Sequence, residues 1–235
     1  MNNVVLFGTG ELADVVRFYL EHDSPHRVSA FTADREYIRE ATVSGLPVIA
    51  FDEVEKSFPT QSYGMFIANG ILFNHESERR GENFITRKIT LGIREIVEGK
   101  RHILKVGNLD AKRDWGHAQD YVQAMYLMLQ RKTPRDYVIG TGVQHSVREF
   151  CERAFREAGF ELIWKGKGRH EKGIDKKTGR TLVAVDSKFF RPNEVWSLCS
   201  NPAKARRELG CKPEINFATL VKRMVRNDLA GVTKK

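Results

Sequence analysis

Short apolar runs alternate with amphipathic stretches along most of this chain. Residues 3–7 (NVVLF) are short, β-branched and followed by glycine, which predicts a buried strand. From residue 11 to 20, Leu12, Val15, Val16, Tyr19 and Leu20 fall on one helical face. The HDSPH turn ends that helix, RVSAF is a second strand running to Asp34, and residues 34–41 read as a short helix or loop. LPVIAF makes a third strand and residues 51–57 a short polar helix. Residues 63–73 (YGMFIANGILF) form a long apolar stretch, expected as a central strand of a parallel sheet. Strand, helix, strand at this spacing predicts βαβ units.

The pattern continues with a helix over 86–98, a strand over 102–106 and a loop carrying Asp110 to Arg113. Residues 117–131 give the strongest helical period, with Ala118, Tyr121, Val122, Met125 and Leu129 on one face and Met125 and Met128 expected as core filler. DYVIGTG is a further strand and turn, and VREFCERAFREAG a helix ended by Gly159. Residues 165–180 (KGKGRHEKGIDKKTGR) read as a mobile loop, and helices over NPAKARRELG and 218–230 close the chain. No internal repeat is present.

Composition bounds the class. A chain of 235 residues with 41% hydrophobic and 29% charged residues is globular and long enough for one α/β domain or two small ones. No apolar run reaches bilayer length, and the first residues lack a basic leader, so neither a membrane span nor a secretory signal is expected. Cys151, Cys199 and Cys211, without CxxC spacing, fit a reducing cytoplasm and speak against a zinc site. His22 and His26 are four apart, but Pro25 between them argues for a loop, not a metal-binding helix.

Charge divides the chain. Residues 1–70 hold 5 Lys/Arg against 10 Asp/Glu, and the rest hold 34 against 20. A basic half fits a phosphate-bearing small ligand. Nucleic acid is not expected, because no stacking platform of aromatics is interleaved with the cations.

Gly8-Thr9-Gly10, with Ala13 in the third position, follows a strand and opens a helix, the setting in which a glycine loop approaches a phosphate. Asp34, at the end of the second strand, is placed to accept from a ribose or base. A tight turn with no ligand accounts for the same glycines. FGTGELADVVRFYL, AFTADREYI, GLPVIAFDEVEKSFP and YGMFIA, within residues 1–68, resemble the amino-terminal nucleotide-sugar-binding domain of bacterial sugar acyltransferases. That resemblance implies that Gly8, Gly10 and Asp34 hold a nucleotide. The hexapeptide repeats that carry acyl transfer in such enzymes do not occur after Gly70, so acyl transfer is not expected.

Residues 63–235 are different. NGILFNHES, RRGENFITRKIT, GNLDAKRDWGHAQDYVQAMYLMLQ, YVIGTGVQHSVREF, VAVDSKFFRPNEV and NPAKARRELGCKP resemble GDP-mannose 4,6-dehydratases, members of the short-chain dehydrogenase/reductases. The resemblance implies a GDP-mannose site lined by Asn74, Ile85, Lys88, Asn108, Arg113, Arg191 and Glu194. It implies NADP contacts from His75 and Arg80, the arginine across a subunit contact, and hence a homo-oligomer or a partner dehydratase subunit. A diphosphate and a guanine edge need fixed cations and amide or carboxylate partners, and these residue types supply them. The expected architecture is α/β, a Rossmann-like parallel sheet with a smaller α/β substrate-binding region, and the chain is expected to divide into a Rossmann-like nucleotide-binding region over residues 1–70 and a dehydratase-like GDP-sugar-binding region over 71–235.

One part of the family pattern is missing from these residues. The reaction starts when a tyrosine, its pKa lowered by a lysine four residues on, abstracts a proton as hydride passes to NADP. Tyr19, Tyr37, Tyr63, Tyr121, Tyr126 and Tyr137 are followed at that distance by Asp23, Ala41, Ile67, Met125, Gln130 and Thr141. The expectation is therefore GDP-sugar binding with little or no dehydratase turnover, in a chain that joins two nucleotide-sugar modules near residues 63–73.

Overall fold

The computed structural model describes residues 2–23, 25–59, 67–190 and 195–232. The chain divides into two compact units, Met1–Phe66 and Ile67–Lys235.

The first unit is a small α/β layer. Strand β1 (Asn2–Phe7) leads through the glycine turn into helix α1 (Glu11–Asp23), β2 (His26–Ala33), β3 (Thr42–Val43), β4 (Leu46–Ala50) and the short α2 (Val54–Ser57). The sheet order is β1-β2-β4-β3, with β1, β2 and β4 parallel and β3 antiparallel to β4. Its core is made of small side chains (Ala13, Val28, Ala30, Ala33, Ala50 and Val54), with Phe31 the one large buried ring among the described residues.

The second unit carries the large core. Its first strands are β5 (Gly70–Leu72) and β6 (Asn74–Glu76), followed by α3 (Ile85–Val97) and β7 (Leu104–Val106). In α3, Ile89, Gly92, Ile93 and Ile96 lie on the buried face, as the helical period dictates. Next come β8 (Lys112–Arg113), β9 (Trp115–His117), α4 (Ala118–Leu129), β10 (Tyr137–Ile139), β11 (His145–Ser146) and α5 (Val147–Glu157). Helix α5 begins with Ser146 accepting from Glu149 N–H at 3.1 Å, and Gly159 comes after it at φ +90°, the left-handed residue that ends the helix. The unit closes with β12 (Leu162–Lys165), β13 (Lys172–Asp175), β14 (Thr181–Val185), β15 (Ser197–Leu198), α6 (Ala203–Leu209) and α7 (Phe217–Leu229). Helices α3, α5 and α7 pack together with Trp115, Leu104 and Leu182 in one continuous core, and α4, α6 and β10 form a second.

Three expectations are corrected. Residues 165–180 are not one continuous loop: Lys172–Asp175 form β13, which pairs antiparallel with β12, Ile163 opposite Ile174, and in turn with β14. Alternating glycine and lysine hid the period-two pattern there. The single central strand expected over residues 63–73 is not seen either. Residues 63–66 lie outside the described residues, and the next strand is the three-residue β5, which pairs only with β10 among the described residues and leaves Ile71 56% exposed. The apolar face expected for α4 is also only half right. Tyr121, Ala124 and Met128 are buried, whereas Val122, Met125, Tyr126 and Leu129 face outward.

Candidate functional site

Strand β6 places Asn74 and His75 next to Glu76, whose side chain is almost fully buried. Its partner is β9, with Asn74 opposite Trp115, His75 opposite Gly116 and Glu76 opposite His117. His75 holds its Nδ1 3.0 Å from Phe73 O and packs its ring 5.2 Å from that of Tyr121, whose hydroxyl lies 3.4 Å from Asn74 O. Burial, with Asp114 and Glu76 nearby, pushes the Tyr121 phenol upward, so it stays protonated. A side chain on Gly116 would collide with the Tyr121 ring, which is why glycine stands there.

Glu76 has two polar partners, both on its Oε2. Thr86 Oγ1, in the first turn of α3, donates to it at 2.5 Å, and Arg80 Nε forms an ion pair with it at 3.2 Å. Burial raises the Glu76 carboxyl above its ordinary range, against the opposing pull of Thr86 and Arg80. The Arg80 guanidinium lies over the Phe84 ring, 3.4 Å from its centroid. Asn74, His75, Arg80 and Ile85 are thus brought together by β6, the 77–84 turn and the start of α3.

Of the other expected contacts, Lys88 and Asn108 lie about Phe189, one helical turn on. Lys88 Nζ sits 3.1 Å over the Phe189 ring, and burial together with Arg101 holds its ammonium below the usual lysine range. Asp186 and Lys188 also act on it, so the surroundings are mixed but mainly cationic. Phe189 lies against Gly107, where a Cβ would run into its carbonyl oxygen. Beside Gly107 is Asn108. Its Oδ1 accepts from Asp110 N–H at 3.0 Å, while its buried Nδ2 has no hydrogen-bond partner among the described residues. Arg113, on β8, donates to Val195 O at 2.6 Å and to Lys112 O at 2.8 Å. Arg191 and Glu194 lie outside the described residues.

Asp114 ties these strands down. Its Oδ1 accepts from Thr141 N–H at 2.9 Å and from Thr141 Oγ1 at 2.6 Å; its Oδ2 accepts from Gly142 N–H at 2.9 Å, Ser200 N–H at 3.1 Å and Ser200 Oγ. Next to it, His117 caps α4 by accepting from Gln119 N–H at 3.1 Å. Both residues are capping and packing groups. Sequence reasoning missed Glu76, Thr86 and Phe189. The only signal for Glu76 was its place between His75 and Ser77 in a strand, where an acid is unusual.

In the first unit, Gly8 has φ +113° and its N–H bonds Thr32 O at 2.7 Å, closing the turn. A Cβ on Gly10 would meet nothing within 4 Å, and Asp34 is exposed. Among the described residues no group of three His, Cys, Asp or Glu could hold a metal. Cys151 is buried with its thiol pushed up to about 12, which makes it inert. A groove of about 610 Å³ runs between α4 and α6, lined by Gln119, Val122, Gln123, Ile139, Ala205 and Pro213, and contains none of the expected contacts.

The fold defines a Rossmann-like α/β protein. It is similar to RMD from Pseudomonas aeruginosa complexed with NADPH (TM-score 0.63, 14% identity, 99% of this chain and 100% of that one). It is also similar to the Thermus thermophilus UDP-glucose 4-epimerase complex with NAD (TM-score 0.52, 18% identity, 98% and 65%). The sequence is more specific. Residues 57–224 match the family of GDP-mannose 4,6 dehydratase, and the chain belongs to that family. It is 52% identical to the GDP-mannose 4,6 dehydratase of Drosophila melanogaster over 174 residues, covering 74% of this chain and 44% of the fly protein. Identity to the human protein of the same name is 51% over 169 residues, covering 72% and 45%. The chain spans about half the length of the curated relatives it matches. No described helix is long and apolar enough to cross a membrane.

Proposed function

We propose that the second unit binds a GDP-sugar, GDP-mannose or a close relative, through Asn74, Ile85, Lys88, Asn108, Arg113, Arg191 and Glu194. The observation that carries this is the Asn108 amide. A buried donor left without a partner costs on the order of 1–3 kcal/mol, and Asn108 Nδ2 is such a donor. Its chain neighbour Gly107 lies against Phe189, whose ring carries Lys88 in mainly cationic surroundings, which suit a diphosphate. NADP fits the neighbouring cluster, where His75 and Arg80 would hold it and where it would supply a hydride acceptor. The family's reaction also needs a Tyr-xxx-Lys pair, which these 235 residues do not contain. We therefore assign binding, with little or no dehydration, to this chain. Isothermal titration with GDP-mannose, GDP and a UDP-sugar tests the assignment, and failure to bind any of the three sinks it. Release of GDP-4-keto-6-deoxymannose at the rate of an ordinary family member, with NADP supplied, would overturn the second half.

The domain assignment obeys the same logic: a nucleotide-binding region over residues 1–70 and a GDP-sugar-binding region over 71–235. For the first region the reading rests on its likeness to the nucleotide-sugar domain of sugar acyltransferases, with Gly8, Gly10 and Asp34 as contacts and the cytoplasm as its place of work.

A second reading, an interaction module that docks on another copy or on a dehydratase subunit, is favoured by α4. Val122, Met125, Tyr126 and Leu129 line its outward face at helical spacing, next to the groove that Val122 also lines. Sedimentation velocity of the chain, alone and mixed with a full-length relative, separates the two readings.

A further inference from the structure

We propose that Glu76 is a positioning residue that presets Arg80 for the phosphate of a bound dinucleotide; this rests on Arg80 being a cofactor contact. Glu76 is 1% exposed and has no path to a ligand of its own. A buried ion pair is weak evidence for stability, so the place of this carboxylate points to what it holds. It holds two groups. Thr86 Oγ1 and Arg80 Nε both meet its Oε2: the hydroxyl donates a hydrogen bond and fixes the carboxylate against the start of α3, while the guanidinium forms an ion pair with it without a directed hydrogen bond. The Phe84 ring stacked under the guanidinium restricts the remaining rotation. With the Glu76 charge on the Nε side of the guanidinium, the two Nη groups are left as a planar fork, the geometry that grips a phosphate through two parallel hydrogen bonds. The ordering of a long side chain is thereby completed before ligand arrives.

The same contact links the two clusters. Thr86 is two residues before Lys88 on α3, so Glu76 also sets where that helix begins relative to β6. A purely structural role would therefore weaken GDP and dinucleotide binding together, whereas a positioning role falls on the dinucleotide alone.

The test titrates NADP and GDP into wild type, Glu76→Gln, Arg80→Lys and the double variant. Glutamine keeps an acceptor for Thr86 and removes the charge that orients Arg80. NADP affinity is expected to fall about ten-fold in Glu76→Gln, with GDP affinity within about two-fold of wild type. The double variant is expected to bind NADP no more weakly than Arg80→Lys, because the two residues act as one unit. Nitrogen relaxation at Arg80 Nε, followed by NMR without ligand, is expected to show larger-amplitude motion in Glu76→Gln. This readout decides the role of Glu76 even if wild type binds neither nucleotide, an outcome that would sink the proposed function instead. Should Glu76→Gln not fold, Thr86→Val loosens the carboxylate and is expected to shift NADP binding and Arg80 motion in the same direction, by less. Wild-type rigidity of Arg80 in these variants, additive losses in the double variant, or equal losses for GDP and NADP would overturn the proposal.

Discussion

The glycine turn at residues 8–10 and the strand at 74–76 are both short segments read as nucleotide contacts, yet they are built differently. The first is backbone alone: Gly8 closes a turn, Gly10 faces open space and Asp34 is exposed. The second is crowded with interlocked polar groups, among them a buried carboxylate, a hydroxyl and an arginine stacked on a ring. A turn that needs glycine is explained by its own geometry. Buried polar groups are expensive, so a cluster of them calls for a reason beyond folding.

The largest expected effect tests whether the second unit depends on such groups. Asp114 accepts five hydrogen bonds from Thr141, Gly142 and Ser200. Asp114→Ala should cost about 3 kcal/mol or more in a denaturant melt and abolish nucleotide binding with it, because the loops around Arg113 come apart. A change under about 1 kcal/mol would show that the cluster is dispensable.

Next comes Lys88. Lys88→Met keeps the stem packed on Phe189 and removes the charge, so GDP affinity should drop about ten-fold with no loss of melting temperature. Because burial lowers its ammonium, the deficit should be largest near neutral pH and shrink as alkali removes the proton in wild type.

Glu76 gives a smaller effect with a definite sign. Its carboxyl is raised in the folded chain, so the native state binds the proton more tightly than the unfolded one. Lowering the pH from above the folded value towards the ordinary glutamate value therefore adds stability from this group, and raising it takes that stability away. The melting temperature of wild type relative to Glu76→Gln should move in favour of wild type as the pH is lowered through the folded value towards the ordinary glutamate value. No change, or the opposite slope, contradicts the burial argument.

The smallest effects sharpen the other side of the comparison. Gly8→Ala places a side chain at φ +113° and should cost about 1 kcal/mol, whereas Gly10→Ala should leave the melt unchanged. If the turn does bind a nucleotide, Gly10→Ala should still weaken that binding, because the added methyl blocks the backbone's approach.

The physics of each element decides how much of it was legible in the sequence. Helices α3 and α5 were readable because one side of each is buried, so the 3.6-residue period survives in Ile89, Ile93 and Ile96 or in Phe150, Ala154 and Phe155. In α4 two apolar faces are present, and periodicity cannot say which one is inside: Tyr121 and Met128 are buried while Val122 and Leu129 are not. The β12–β13 hairpin was hidden because Gly173 leaves room for the Trp164 ring, so the buried position carries no apolar side chain. The site was legible through motifs, not through single residues. Lys88 and Asn108 sit inside recognisable segments, but a lone acid such as Glu76 looks like surface charge until its burial is seen.

The most direct test of the central claim is a calorimetric titration of the intact chain with GDP-mannose against UDP-glucose, repeated with Asn108→Leu. The account predicts a one-to-one complex with GDP-mannose, at least about ten-fold weaker binding of the uridine sugar, and loss of the preferred complex in the variant. Equal affinity for both sugars, or a variant that binds as wild type does, would contradict it.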